Sequence, residues 1–131
     1  MKVYLVRHAE AAPGEPDELR PLTAAGRIQA RELARRLATG GVRIDALLTS
    51  PLLRARETAE QLSRELGVAL EPDERVAPGA TVESMKDAVR GRGAAVLVVG
   101  HQPDCGRIAA AVTGTEPERV PPASVLELDL D

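Results

Sequence analysis

Two histidines, His8 and His101, are the only imidazoles in the chain, and the clusters that hold them each stand directly behind a short apolar run. Arg7 precedes the first, the sequence Gly100-His101-Gln102-Pro103 holds the second, and Ser50-Pro51-Leu52-Leu53-Arg54 forms a third polar cluster behind a third apolar run. Guanidinium groups match phosphoryl oxygens in geometry and stay charged, so Arg7 and Arg54 could neutralise a group whose own charge would repel a nucleophile. A neutral His8 could then attack phosphorus and become phosphohistidine, which splits one hard displacement into two. His101 would donate to an equatorial oxygen. Ser50 and the backbone N–H groups of the helix that follows it are candidate substrate contacts. A lone histidine at a strand end is ordinarily structural; it is the conjunction of two with two arginines that points to an oxyanion site.

Such residues have to be delivered by elements that end together. Lys2 to Val6, rich in β-branched and aromatic residues, predicts a first strand. Residues 11 to 21 carry Pro13, Gly14, Pro16 and Pro21 and predict a loop beside His8. Ala30, Leu33, Ala34 and Leu37 recur at helical period, with Thr23 as cap and Gly40-Gly41 as stop. Ile44 to Thr49 predicts a second strand and Leu52 to Leu66 a second helix ended by Gly67. Val68 to Leu70 predicts a short third strand, residues 72 to 81 a loop, and Val82 to Val89 a weak helix. Ala94 to Val99 is continuously apolar, as a strand covered on both faces should be. Arg107 to Val112 predicts a last helix, with Pro103 suited to its first turn, and the alternation over Val125 to Leu130 an edge strand. Strands alternate with helices, so the expected fold is a three-layer α/β/α sandwich around a mostly parallel sheet, with a C-terminal edge strand. In such a sheet ligands bind above the strands' C-terminal ends, where Arg7, His8, Ser50, Arg54 and His101 should converge.

At 131 residues one domain, 1–131, is expected. Lys and Arg number 17 against 20 Asp and Glu, with signs mixed along the chain, so there is no electrostatic reason to expect nucleic acid or an anionic membrane as partner. With a single tyrosine and no Phe or Trp, stacking platforms for bases are lacking and the core must be aliphatic. No stretch reaches membrane-spanning length and none forms a signal-peptide core, which predicts a cytoplasmic protein. Cys105, the one cysteine, excludes an internal disulfide and a multi-thiolate metal site, and reads as buried filler.

The segments Val3 to Ala11, with Arg7-His8, Arg20 to Gly26, Ser50 to Ala59 and Val99 to Pro103 resemble, in order and spacing, the signatures of the histidine phosphatase superfamily. The branch is that of the phosphoglycerate mutases, and the likeness is greatest to the small bacterial phosphohistidine phosphatases. It runs from Val3 to about Gly114, with Ala9 standing where many relatives have glycine. The resemblance implies His8 as nucleophile, Arg7 and Arg54 as phosphate ligands, His101 completing the pocket, and no metal or organic cofactor. Arg20 is a further carry-over that either touches phosphate or substrate or anchors the proline-rich loop.

Mutase-like relatives carry a glutamate after the third strand that protonates the leaving group. Here that region reads Glu74-Arg75-Val76-Ala77-Pro78-Gly79, in which Glu74 is the sole carboxylate and lacks the familiar surroundings. Glu10 and Asp104, each close behind a pocket histidine, are the other candidates, with Glu10 ranked first for proton transfer or for orienting the histidine. An imidazole leaving group demands less of an acid than a sugar alkoxide, which favours phosphohistidine or another labile phosphoryl donor, and with only the loops Ala11 to Arg20 and Pro72 to Thr81 to frame it, an open pocket would accept a protein side chain. A small-metabolite phosphomonoesterase and a catalytically weak phosphate-binding module are the competing functions. A zinc site of the two histidines with Asp104 is the alternative chemistry, short of a convincing third ligand.

Overall fold

A computed structural model of the protein describes residues 1–130. Among these residues five strands, β1 (Lys2–Arg7), β2 (Ala46–Thr49), β3 (Leu70–Pro72), β4 (Ala95–Gly100) and β5 (Val125–Asp129), alternate with four helices. These are α1 (Ala24–Thr39), α2 (Leu53–Leu66), α3 (Val82–Val89) and α4 (Asp104–Thr113). The strands lie in the order β3-β2-β4-β1-β5. All neighbours are parallel except β5, which runs antiparallel to β1 at the edge.

The apolar run of β4 is explained by its place between β1 and β2, where side chains alternate into two separate cores. Val96 and Val98 join Val3, Leu5 and Leu48 against Met85 and Val89 of α3 and Ile108 of α4. Leu97 and Val99 join Val6 and Leu47 against Leu33 and Leu37 of α1 and Leu62 of α2. The helices therefore cover the sheet as two pairs, one on each face, which makes the expected three layers. Each fully buried Leu or Val contributes roughly 1.5–3 kcal/mol relative to exposure, so these aliphatic stripes hold the sandwich together without aromatic residues.

Local chemistry sets the boundaries. The Thr23 hydroxyl accepts from Gly26 N–H to cap α1, and Gly67, at φ 67°, ends α2 in the left-handed conformation glycine adopts freely. The last helix begins at Asp104 rather than Arg107, because Cys105 N–H donates to His101 O and Arg107 N–H to Pro103 O, extending the helical ladder back. Pro103 is thus the residue before the helix and not part of its first turn. β2 starts at Ala46 because the Asp45 carboxylate accepts from both Ala94 and Ala95 N–H and stops the strand there. β3 lies two residues later than the expected start, since Val68 O accepts from the Ser63 hydroxyl at the end of α2. The loops over residues 11–21 and 72–81 each contain a single 3-10 turn, Asp17–Leu19 and Glu74–Val76.

Candidate active site

β1 and β4 are paired so that Arg7 stands opposite Gly100. The next residue of each strand therefore emerges at the same place on the sheet edge: His8 N–H donates to Gly100 O at 3.0 Å, and the rings of His8 and His101 lie edge to face with centroids 5.1 Å apart. β2, on the other side of β4, brings Ser50 alongside, with its N–H on Val99 O and its hydroxyl 2.7 Å from His101 Nε2. Sheet register alone thus joins positions 8, 50 and 101.

The His8 ring has a defined proton. Its Nδ1 is 2.7 Å from Ala9 O, a carbonyl that can only accept, so Nδ1 carries the hydrogen and Nε2 keeps a lone pair. The His8 pKa falls from its ordinary value to about 4, chiefly because burial disfavours the cation; the bond to Ala9 opposes this, and the positive charges of Arg54, Arg7 and Arg20 reinforce it. His101 falls to about 3 for the same leading reason, with His8 and Arg54 adding to it. Both rings are neutral at physiological pH. His101 Nδ1 is buried and has no protein partner among the described residues, while Ser50 can donate to Nε2. In the tautomer in which Ser50 donates to Nε2, Nδ1–H is a free donor in the pocket.

The arginines are anchored by backbone carbonyls. Arg7 Nη1 donates to Val120 O at 2.8 Å, and its buried Nε has no protein partner among the described residues. Ala123, buried and at φ 56°, turns its N–H onto Arg7 O and so ties the loop before β5 to the end of β1. Arg54, in the first turn of α2 and only 7% exposed, donates from Nη1 to Asp17 O and from Nη2 to Asp17 Oδ2. Arg20 donates from Nε to Ala12 O and from Nη1 to Asp17 Oδ1, so it anchors the proline-rich loop and reaches the same carboxylate as Arg54.

The sequence profile of the histidine phosphatase superfamily (branch 1) matches residues 3–77, more than half of the chain and the part that carries Arg7, His8, Arg20, Ser50 and Arg54. The chain belongs to the histidine phosphatase superfamily. It is 32% identical to the phosphohistidine phosphatase SixA of Escherichia coli K12, over all of this chain and 86% of that protein. It is 38% identical to an uncharacterized protein of Picosynechococcus over 86% of this chain and 73% of that one. The structure of the protein histidine phosphatase SixA complexed with tungstate superposes with a TM-score of 0.90 at 29% identity, over 100% of this chain and 89% of that chain.

The three candidate carboxylates of this phosphatase are placed differently. Glu10 is exposed, and its Oε2 accepts from the Thr23 hydroxyl at 2.6 Å at the start of α1; it makes no hydrogen bond to either histidine. Asp104 is buried and accepts from Gly79 N–H at 2.8 Å, pinning the loop before α3. Among the described residues no three metal-ligating side chains converge. Glu74 is exposed in its 3-10 turn, beside an Asp73–Arg75 ion pair. Cys105 is buried with its thiol pushed up to about 12 by desolvation, the state of a packing residue. Asp17 is the pocket residue that sequence reasoning passed over. Its local signal is the spacing Asp17 to Arg20, an acid and a base three apart in the proline-rich loop expected beside His8.

Proposed function

We propose that this phosphatase hydrolyses phosphohistidine on a protein through a phosphoenzyme on His8, without a metal, with residues 1–131 as one catalytic domain. The observation that carries the reading is the neutral His8 ring, its proton held on Nδ1 by Ala9 O, next to a second neutral imidazole and within the field of Arg7 and Arg54. Likeness over the full chain to a protein named as a phosphohistidine phosphatase supports the choice of substrate.

His8 Nε2 attacks phosphorus as the substrate P–N bond breaks, and the electron pair returns to the departing imidazole, which takes its proton from solvent. Arg7, Arg54 and His101 Nδ1–H meet the equatorial oxygens, where fixed donors stabilise the developing charge more than they stabilise the ground state. Ser50 holds the His101 ring, and Arg20 lies within reach of the same region. Water then forms the new P–O bond, loses its proton to solvent, and the P–N pair returns to His8. An imidazole is a good leaving group once protonated, so the chemistry does not call for the carboxylic acid that an alkyl phosphate needs. Glu10, bound to Thr23, is left as part of the α1 start.

The test is a competition panel in the presence of a chelator, pairing a phosphohistidine-bearing protein with common sugar and nucleotide phosphates and using His8→Ala as control. Dephosphorylation of the protein should dominate, with an acid-labile phosphoenzyme that His8→Ala lacks. Faster turnover of one metabolite with negligible action on the protein would replace this reading by a phosphomonoesterase. Binding without a phosphoenzyme would replace it by a phosphate-binding module.

A further inference from the structure

Asp17 binds Arg54 twice, by its backbone carbonyl at 2.9 Å to Nη1 and by Oδ2 at 3.2 Å to Nη2, and gives its other oxygen, Oδ1, to Arg20 Nη1 at 3.0 Å. One carboxylate thus bridges two guanidinium groups that arrive from different places, the proline-rich loop and the first turn of α2. Arg54 has five N–H donors and Asp17 takes two, so the remainder of the fork is available to another acceptor. The carboxyl of Asp17 is held below its ordinary range, first by the hydrogen bond from Arg20 and further by Arg54, so it is an anion throughout the working pH range. Its side chain is 59% exposed, whereas that of Arg54 is 9% exposed. The buried partner is the one whose orientation matters.

We infer that Asp17 is a positioning residue for phosphoryl transfer: its carboxylate bridges Arg54 and Arg20 and sets the angle at which the Arg54 fork meets the phosphoryl oxygens. This rests on the reading of Arg54 as a phosphate ligand. The physical argument separates binding from turnover. A guanidinium attracts a phosphate dianion mainly as a charge, tolerating some misorientation, but transition-state stabilisation requires its N–H groups to stay aligned as the equatorial oxygens gain charge. An anion beside Arg54 also competes with phosphate for the same positive field. Removing it should loosen the geometry while making the pocket more positive, so kcat and phosphate affinity should move in opposite directions or kcat alone should move.

The experiment compares wild type with Asp17→Asn for hydrolysis of a chromogenic phosphate monoester, inhibition by inorganic phosphate, and thermal midpoint, and repeats the substitution in an Arg54→Lys background. Asp17→Asn should lower kcat about tenfold, leave inorganic phosphate binding as tight or tighter, and leave the midpoint unchanged. In the lysine background, where there is no fork to orient, the same change should cost less than about twofold. An unchanged kcat, a parallel loss of kcat and phosphate affinity, or an undiminished effect in the lysine background would each overturn the inference. Failure of wild type to bind phosphate would instead overturn the reading of the site on which it stands.

Discussion

The protonation state of one ring governs the chemistry at the residue scale. On the proposed mechanism His8 attacks only when Nε2 is free, and desolvation with three nearby guanidinium groups keeps it so down to about pH 4. The sign is that of a base whose folded pKa is lowered: neutral and active above about 4, cationic and inactive below. The acid limb of kcat/KM should therefore lie near 4, well below the ordinary histidine range, and a limb near 6.5 would mean a solvated ring instead. His8, Arg7, Arg54, His101 and Ser50 were readable as candidates because each follows an apolar run that predicts a strand. Asp17 was not, because the role proposed for it depends on a contact with Arg54 across 37 residues of sequence, and its local signal, an arginine three residues on, does not single it out from Glu15 and Glu18 in the same loop.

At the scale of elements, the site depends on how tightly α1 packs beneath the segment after β1. Gly26, in the first turn of α1, lies so close to Glu10 that an added Cβ would stand 2.0 Å from Glu10 O. Since Thr23 N–H also donates to Glu10 O, that carbonyl is tied to the start of α1. Gly26→Ala should force the segment carrying His8 to Glu10 to shift, with a loss of stability of about 1–3 kcal/mol and a fall in turnover. Denaturant melts and steady-state rates on the same preparation would check both, and a variant as stable and active as wild type would mean the segment yields without consequence. Element boundaries were less legible than element types. The beginning of α4 and the shift of β3 follow from hydrogen bonds by His101 O and Val68 O, choices that composition does not reveal.

Across the whole molecule, two neutral histidines, His101 buried and His8 half-buried, tie stability to pH. In the unfolded chain both take up protons near 6.5, whereas in the folded protein His8 does so at about 4 and His101 at about 3. Between these values the unfolded state binds more protons, so the free energy of unfolding falls as pH drops from about 6.5 towards 3. Asp17 and Asp73, whose carboxyls are lowered by their arginine partners, add to the loss only below the ordinary aspartate range. Melts at pH 7, 6 and 5 should show declining stability, and His101→Asn should flatten the decline. A stability that is level across this range would show that the rings are not buried as neutral species.

Periodicity and strand–loop transitions were enough to establish from the chain alone an alternating α/β order, a continuously apolar central strand and the set of residues at strand ends, because hydrophobic burial is encoded locally in side-chain pattern. Only the folded sheet decided which ends are neighbours. Strand order and register place His8 against His101 and Ser50, and the loop's return onto α2 places Asp17 between Arg20 and Arg54. Those pairings are hydrogen bonds between residues far apart in sequence, and their existence depends on where the backbone goes and not on what any short segment prefers.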